Sequence, residues 1–282
     1  MGQSTATVAG GVAEETGFVE VDGARLWYEA MGSGEPLVLL HAGVADSRMW
    51  DDQVAVFAAG FRLIRYDARR FGRSGAARGS YSPWADLAAL LAGLGIERAH
   101  LLGLSMGGAV ALDAALEFPD LVASLVLVAT RPSELAPSTA LRDAWATVDS
   151  AVEAGDLARA NELELRMWVD GPHRQPGAVD PAARALVGQM NAALLAGPDE
   201  GETQPLDPPA VGRLGEIAVP TLVIVGDQDQ PDVIAGGEVL VREIPGARGV
   251  VMVGTAHLPN LERPDEFNAL VLNFLDELGE GR

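Results

Sequence analysis

Residues 99–118 read AHLLGLSMGGAVALDAALEF, and this stretch decides the fold of the chain. The apolar run from Ala99 to Leu104 is typical of a buried strand, and Met106 to Phe118 has the composition and length of a helix. Ser105 therefore lies on a sharp strand-to-helix turn, where we expect a strained backbone. Such a turn places the serine hydroxyl above the carboxyl edge of a sheet. There the positive end of the following helix stabilises developing negative charge.

The five residues Gly103-Leu104-Ser105-Met106-Gly107 have the G-x-S-x-G spacing of a nucleophile elbow. We expect glycine at both ends because neighbouring backbone approaches there too closely for a Cβ atom. The alternative is a chance match in a chain that contains 33 glycines. The strand before Ser105 and the helix after it favour the elbow over chance.

Strand-like runs alternate with helical stretches on both sides of this turn. The predicted strands are Phe18–Val21, Ala24–Glu29, Leu37–His41, Arg62–Asp67, Ala99–Leu104, Leu121–Ala129, Pro220–Val225 and Arg248–Val253. Asp22-Gly23 joins the first two as an antiparallel hairpin, and alternation with helices indicates parallel strands joined by right-handed crossovers. We therefore predict an α/β fold with a mostly parallel eight-stranded sheet, an N-terminal antiparallel hairpin and helices on both faces.

The alternation of strands and helices stops between residues 131 and 215. That segment contains three helical stretches separated by loops rich in proline and glycine, at Thr139–Ala154, Asp156–Val169 and Pro181–Ala196. An inserted helical block is typical of a cap over an active site, and a surface elaboration without a binding role is the alternative. We expect a disordered lead-in at 1–15, a core at 16–130 and 216–282, and a helical cap at 131–215.

The composition limits the partners and the compartment. The formal net charge is −20, and a strongly acidic surface repels nucleic acid and anionic membranes. The chain has no cysteine, and no basic segment followed by an apolar one at its N-terminus, so we expect a cytoplasmic protein without disulfides. The apolar runs are too short to cross a bilayer. These features favour a small-molecule substrate and leave the oligomeric state open.

A serine hydroxyl is a weak nucleophile until a base accepts its proton, and histidine is the usual base. Of the four histidines, His257 follows the last predicted strand, at the carboxyl edge where open α/β sheets place their sites. His100 lies at the opposite end of its strand from Ser105, and His173 lies in a loop of the helical block. We therefore predict His257 as the base, with a loop histidine bonded only to backbone as the alternative.

The base needs a carboxylate that fixes its tautomer and stabilises its imidazolium form. Asp227 and Asp229 both follow the predicted strand Pro220–Val225, at the same sheet edge. We prefer Asp229 because it lies further beyond the strand, where the loop can turn back toward His257. Asp227 is expected to bond to the backbone amides of the turn.

With these residues placed, the chain resembles the α/β-hydrolase superfamily, in the branch of small capped serine esterases and lactonases. The chain order of serine, aspartate and histidine is that of the family. Further similar segments are His41-Ala42-Gly43, Asp67 to Ser74, Gly226 to Asp229 and Ala256 to Pro264. The resemblance covers Phe18 to Arg131 and Val219 to Leu278, and does not extend to the helical block.

The resemblance implies roles for two loops. The backbone N–H groups of Gly43 and Met106 would form an oxyanion hole, and His41 would bond to loop backbone. Two positions depart from the family's pattern, since Ala42 and Arg70 stand where glycine is usual. The first would shift the oxyanion loop slightly, and the second would place a bulky cation near the entrance or on the surface.

Two groups of relatives with the same fold do not match this chain. Haloalkane dehalogenases and epoxide hydrolases have an aspartate at the position of Ser105, and the tyrosines here (Tyr28, Tyr66 and Tyr81) lie outside the helical block, where epoxide hydrolases need them. We therefore predict a carboxylic ester or lactone hydrolase that acts through an acyl-enzyme on a small, mainly neutral apolar substrate. The alternatives are a carbon–carbon bond hydrolase, a cofactor-free perhydrolase, and a non-catalytic protein that binds a small molecule.

Substrate contacts are expected from the helical block and from the loops. Large apolar residues recur there at helical spacing, and we expect Trp168 and Met190 to face Ser105, with Val44 and Leu258 as further contacts. Acyl transfer by a triad needs no cofactor, no histidine pair has metal-ligand spacing, and no glycine-rich nucleotide motif follows a strand. We therefore expect neither a metal nor a cofactor.

Overall fold

The computed structural model describes residues 5–9, 12–76, 78–175, 177–198 and 200–280. Within these residues the chain forms eleven strands. In chain order they are β1 (Thr5–Ala9), β2 (Val12–Val21), β3 (Ala24–Met31), β4 (Pro36–Leu40), β5 (Arg62–Tyr66), β6 (Arg78–Tyr81), β7 (Ala99–Leu104), β8 (Val122–Val128), β9 (Glu200–Thr203), β10 (Thr221–Gly226) and β11 (Arg248–Met252).

Nine of the strands form one sheet, in the order β1-β2-β3-β5-β4-β7-β8-β10-β11. The pairs β1–β2, β2–β3 and β3–β5 are antiparallel. The remaining neighbours, from β5 through β4, β7, β8 and β10 to β11, pair in parallel. All eight predicted strands are present, and the predicted mostly parallel sheet with an antiparallel start is confirmed. The carboxyl ends of β4, β7, β10 and β11 therefore meet at one edge.

The N-terminus differs from the expected disordered lead-in at 1–15. β1 pairs antiparallel with β2, from Thr5 opposite Thr16 to Ala9 opposite Val12. Without β1, β2 would be an edge strand, and hydrogen bonding along that edge outweighs the weak local preference of a small, polar sequence. Residues 1–4, 10 and 11 of the expected lead-in lie outside the described residues.

The described residues also form nine helices. They are α1 (Asp51–Phe57), α2 (Pro83–Gly93), α3 (Met106–Glu117), α4 (Thr139–Glu153), α5 (Leu157–Glu164), α6 (Pro181–Ala196), α7 (Pro231–Glu243), α8 (Pro259–Glu262) and α9 (Pro264–Glu280). A 3₁₀ turn at Ser47–Trp50 precedes α1, and further single turns occur at Pro119–Leu121, Ala210–Gly212 and Leu214–Glu216. A π-helical turn, Leu165–Asp170, continues α5. None of the helices in the described ranges is long and apolar enough to cross a membrane.

Side-chain caps explain where the three helices of the 131–215 segment begin. Ser138 caps α4 through Leu141 N–H (3.2 Å), Asp156 caps α5 through Arg159 N–H (3.1 Å), and Asp180 caps α6 through Ala182 N–H (2.7 Å). Each cap satisfies an N–H group that has no partner inside its own helix.

The central strands are buried on both faces and divide the core in two. In β8, Leu125 and Leu127 belong to one apolar cluster, whereas Val126 and Val128 belong to the other. This alternation is the period of two expected of a strand. The first cluster includes α2 and α3 side chains, and the second includes Phe267 of α9. Helices therefore cover both faces of the sheet, as predicted.

The segment from 131 to 215 has a small core of its own and a second attachment to the sheet. Leu141, Val148 and Met167 pack together between α4, α5 and the π-helical turn. Val187 and Met190 of α6 join the main core instead. The sequence does not predict β6 and β9, which pair in parallel as a separate two-stranded sheet. Their short, largely exposed segments lack an apolar run, which is why β9 is missed in a segment expected to be helical.

Candidate active site

Ser105 has the strained backbone expected of a nucleophile elbow. Its φ of 54° and ψ of −114° lie where side chains other than glycine are rarely found. Three hydrogen bonds hold this conformation. The N–H of Ser105 donates to Val128 O (2.9 Å), and Ser105 O accepts from Ala109 N–H (3.0 Å) and from Thr130 Oγ1 (2.7 Å). Strand β8 and helix α3 thus fix the serine between them.

The two glycines of the elbow are required by close backbone contacts. A Cβ atom on Gly103 would lie 2.3 Å from Gly107 O, and one on Gly107 would lie 2.3 Å from Leu40 O. The Gly107 N–H also donates to His41 O (3.1 Å). The elbow is therefore packed directly against the loop that follows β4.

His257 and Asp229 meet at the carboxyl edge of the sheet. The Nδ1 atom of His257 lies 2.8 Å from Asp229 Oδ2 and 3.1 Å from Oδ1, and each residue is 2% exposed. Asp229 Oδ1 also accepts the Gln230 N–H (2.6 Å). Because Nδ1 faces a carboxylate, it carries the proton and leaves Nε2 as an acceptor. This is the tautomer that a base for a serine hydroxyl requires.

Asp227 lies outside this arrangement. Its Oδ1 accepts the Gly254 N–H at 2.6 Å, and its side chain is exposed. We expected Asp227 to bond to its own turn, whereas the bond reaches the neighbouring loop after β11. The carboxylate therefore braces the loop that carries His257 without touching the imidazole.

The loop after β4 brings Gly43 beside Met106. A Cβ atom on Gly43 would lie 3.6 Å from Met106 Cβ, so the two residues expected to supply oxyanion N–H groups are neighbours. Ala42, which stands where the resemblance implies glycine, is completely buried, and its N–H donates to Met49 Sδ (3.3 Å). The extra methyl group is accommodated in the core next to this loop.

His41 uses both ring nitrogens on loop backbone. Its Nε2 accepts the Ala68 N–H (3.0 Å), so Nδ1 carries the proton and donates to Ala42 O (2.9 Å). Burial lowers the pKa of His41, because a charged imidazolium would be poorly solvated there. The side chain is neutral and joins two loops.

The segment from Asp67 to Ser74 is a brace at the same edge. Asp67 accepts N–H groups from Ser47 (2.9 Å) and Arg73 (2.8 Å), and Ser74 Oγ donates to Asp67 O (2.5 Å). Arg70 has a φ of 68°, which explains why glycine suits this position. Its side chain is half-buried and is not among the residues that line the cavity at Ser105.

Ser105 and His257 line one cavity of about 440 Å³. Trp168 covers His257, with its ring centroid 4.6 Å from that of the imidazole and the planes inclined by 39°. The rest of the wall is mainly apolar and includes Leu135, Pro137, Leu141, Trp145 and Val233. Arg131, Ser133 and Glu134 add polar groups from the loop after β8.

The expected substrate contacts need correction at three positions. Trp168 lines the cavity, but Val44, Met190 and Leu258 are buried in the core and are absent from its described wall. Helix α6 turns Met190 toward the core, where its sulfur accepts the Asp46 N–H (3.4 Å). The π-helical turn instead carries Trp168 over the imidazole of His257.

Sequence reasoning missed the loop after β8 as part of the cavity. Thr130, Arg131 and Ser133 follow the carboxyl end of that strand, as the elbow and the base follow theirs. Open α/β sheets place their sites at the carboxyl ends of the strands, and this rule predicts these three residues as it predicts Ser105 and His257. Across the described ranges, no group of three or more His, Asp or Glu side chains could hold a metal ion.

Comparison with known proteins adds independent information. The family model of the alpha/beta hydrolase fold matches residues 35–264. The pimeloyl-[acyl-carrier protein] methyl ester esterase of Aeromonas hydrophila subsp. hydrophila is 29% identical over 273 residues, covering 88% of this chain and 98% of that protein. The 2-hydroxy-6-oxo-6-phenylhexa-2,4-dienoate hydrolase of Comamonas testosteroni is 30% identical, covering 88% and 90%. The crystal structure of the enol-lactonase from Burkholderia xenovorans LB400 superposes with a TM-score of 0.73 at 25% identity, covering 92% and 99%.

Proposed function

This chain belongs to the α/β-hydrolase family, and we propose that it is a serine hydrolase that cleaves a carboxylic ester or lactone through an acyl-enzyme. One observation carries the proposal. Ser105 and His257 line the same cavity, and Nδ1 of His257 is hydrogen-bonded to the carboxylate of the buried Asp229. Relatives that are named as an esterase and an enol-lactonase support the same reaction class.

In the first step, Nε2 of His257 accepts the Ser105 proton as Oγ attacks the substrate carbonyl carbon. The N–H groups of Gly43 and Met106 stabilise the oxyanion that forms. Asp229 holds the Nδ1 proton and stabilises the imidazolium. His257 then passes its proton to the leaving oxygen, and the bond to that oxygen breaks.

In the second step, water takes the place of the serine hydroxyl. His257 accepts a proton from water, which attacks the acyl-enzyme carbonyl carbon. Collapse of that intermediate releases the acid and returns the proton to Ser105. Nε2 of His257 accepts and releases the proton in every transfer, so His257 is the only base that the reaction needs.

The segment from 131 to 215 acts as the cap of this site in our proposal. Trp145 and Trp168 of that segment line the cavity. Gln230, directly after the acid, donates from Nε2 to Met167 O at 2.9 Å. The acid loop and the π-helical turn are therefore joined, and the cap shields His257 from bulk solvent.

The cavity favours a small, mainly neutral substrate with apolar groups. Its wall is mostly apolar, and Arg131 Nη1 lies 4.0 Å from Asp232 Oδ1, which offsets its charge. The net charge of −20 on the protein also repels anionic ligands at long range. Arg70 does not line the cavity and supplies no cation to it.

A second candidate function is cleavage of a carbon–carbon bond beside a ketone. It is favoured by the 30% identity to the Comamonas testosteroni hydrolase, whose named substrate contains no ester. The same serine, base and oxyanion groups serve both reactions, so only substrate profiling separates them.

The test combines labelling with turnover. Purified protein is treated with a fluorophosphonate probe and assayed with 4-nitrophenyl esters, aliphatic lactones and a vinylogous 1,5-diketone, with Ser105→Ala as the matched control. We expect labelling and ester or lactone hydrolysis that both disappear in the variant. Labelling without turnover of any of these three substrate types would favour a binding protein. Turnover of the diketone alone would favour carbon–carbon cleavage.

A further inference from the structure

A second cavity, of about 150 Å³, lies next to the elbow. Met106 lines both this inner cavity and the cavity at Ser105. In the described structure, Ser105 and His257 line only the larger one, whereas Gly107 and Val110 line only the inner one. Met106 therefore borders two cavities that both reach the nucleophile elbow.

The inner cavity is partly open, and its wall is mainly apolar. Leu40 and Val110 contribute side chains from the core on one side. The two charged side chains in the wall neutralise each other, since Arg69 Nε and Nη2 lie 2.5 and 2.7 Å from the two oxygens of Asp86. The Arg69 guanidinium also lies 4.7 Å from the centre of the Tyr81 ring. A bidentate pair of this kind leaves little charge for a ligand, so the wall suits an uncharged apolar group.

Proton transfer decides which part of a substrate occupies which cavity. The leaving oxygen must come within reach of His257 to receive its proton, so the alcohol part lies in the cavity that His257 lines. The carbonyl oxygen lies at the Met106 N–H, and the rest of the acyl group extends away from His257. The inner cavity lies beside Met106 and lacks His257 in its described wall.

We propose that the inner cavity is the acyl subsite, and that the protein hydrolyses esters of apolar acids with a ring or a short branched chain. This inference rests on the proposed hydrolase function and names its substrate class. An apolar cavity of about 150 Å³ holds a group the size of benzene. Each methylene that fits should raise kcat/KM about fourfold, and the gain should end at about six carbons beyond the carbonyl carbon.

Two isomeric esters test the assignment. Methyl cyclohexanecarboxylate has its ring on the acyl side, and cyclohexyl acetate has the same ring on the alcohol side. Val110→Phe fills the inner cavity, and the matched control Ala109→Phe fills the larger cavity from the adjacent position of α3. We expect Val110→Phe to lower kcat/KM for the cyclohexanecarboxylate at least about thirtyfold and for the acetate less than about threefold. Ala109→Phe should reverse this preference. Equal losses on both esters in Val110→Phe would overturn the assignment.

A binding measurement separates failure of the subsite from failure of the function. Fluorobenzene is titrated into the Ser105→Ala protein and followed by fluorine NMR. Binding should be lost when Val110→Phe is added and kept when Ala109→Phe is added. If the wild type hydrolyses esters but fluorobenzene does not bind, the subsite is refuted and the hydrolase function stands. If fluorobenzene binds as expected but no ester is hydrolysed, the function is refuted and the cavity remains a ligand site. Val110→Leu, checked by circular dichroism, replaces Val110→Phe should the larger side chain prevent folding, and should shorten the preferred acyl group by about one carbon.

Discussion

The indole of Trp168 lies over the imidazole of His257, with ring centroids 4.6 Å apart and planes inclined by 39°. Trp168 belongs to the π-helical turn Leu165–Asp170, whereas His257 belongs to the loop after β11. π-Helical turns are rare and occur often at functional sites. This contact therefore couples the proposed cap to the proposed base, and an imidazolium formed during catalysis would face the π-electrons of the indole.

Replacing Trp168 tests that coupling. Trp168→Leu keeps an apolar side chain but removes the aromatic face, so kcat should fall between about 2-fold and 30-fold. Trp168→Phe should recover part of the loss. Trp145→Leu, in the same cavity wall, is the matched control and should change KM more than kcat. Steady-state kinetics with one neutral ester measure all three variants, and an unchanged kcat in Trp168→Leu would show that the contact plays no part in the reaction.

Ser105 carries both the proposed chemistry and backbone strain. Ser105→Ala should lower kcat by about 10³-fold or more while the protein stays folded. Ser105→Gly should be equally inactive but about 1 kcal/mol more stable than Ser105→Ala, because glycine tolerates the φ of 54°. Hydrolysis of a 4-nitrophenyl ester and chemical denaturation give the two readouts. A well-folded Ser105→Ala protein that retains most of its activity would refute the nucleophile.

Much of this arrangement follows from local signals in the sequence. The predicted strands are short runs rich in apolar side chains, and the central ones are apolar on both faces, as Leu125 and Val126 on opposite sides of β8 illustrate. Ser105, Asp229 and His257 each follow such a strand, and topology alone brings their loops to one edge. These features depend on short-range patterns, which a single sequence reveals.

Other features depend on packing that no local pattern encodes. β1 is held by its pairing with residues 12–16 of β2, and the small side chains of Thr5–Ala9 give only a weak signal of that pairing. Met190 and Trp168 both lie in helical stretches with apolar spacing, yet one packs into the core and the other over His257. The position of Trp168 comes from the π-helical turn, which rotates the residues after Glu164 in a way that helical periodicity does not predict.

The two aspartates after β10 should respond differently to the same substitution. Asp229→Asn should lower kcat by up to about 10⁴-fold, because the amide favours the wrong tautomer of His257. Asp227→Asn keeps an oxygen that can accept the Gly254 N–H, so its effect on kcat should be small. Both variants are compared by kcat at saturating substrate and by thermal denaturation. A larger loss of kcat in Asp227→Asn would reverse the assignment.

Asp113 is a buried carboxyl on α3. Burial raises the pKa of Asp113 to about 6, although Ser133 Oγ donates a hydrogen bond to it at 2.9 Å. The unfolded chain ionises this group near pH 4, so the folded state binds more protons between about pH 4 and pH 6. The free energy of unfolding should therefore fall as the pH rises through that window, and this group should contribute at most about 3 kcal/mol to the fall. Asp113→Asn removes the ionisation and keeps an acceptor for Ser133, so its stability should fall less between pH 4.5 and pH 7.5 in guanidinium titrations. Ser133→Ala, which removes the donor, should make the fall steeper. Equal losses in the wild type and Asp113→Asn would show that Asp113 does not contribute to the pH dependence.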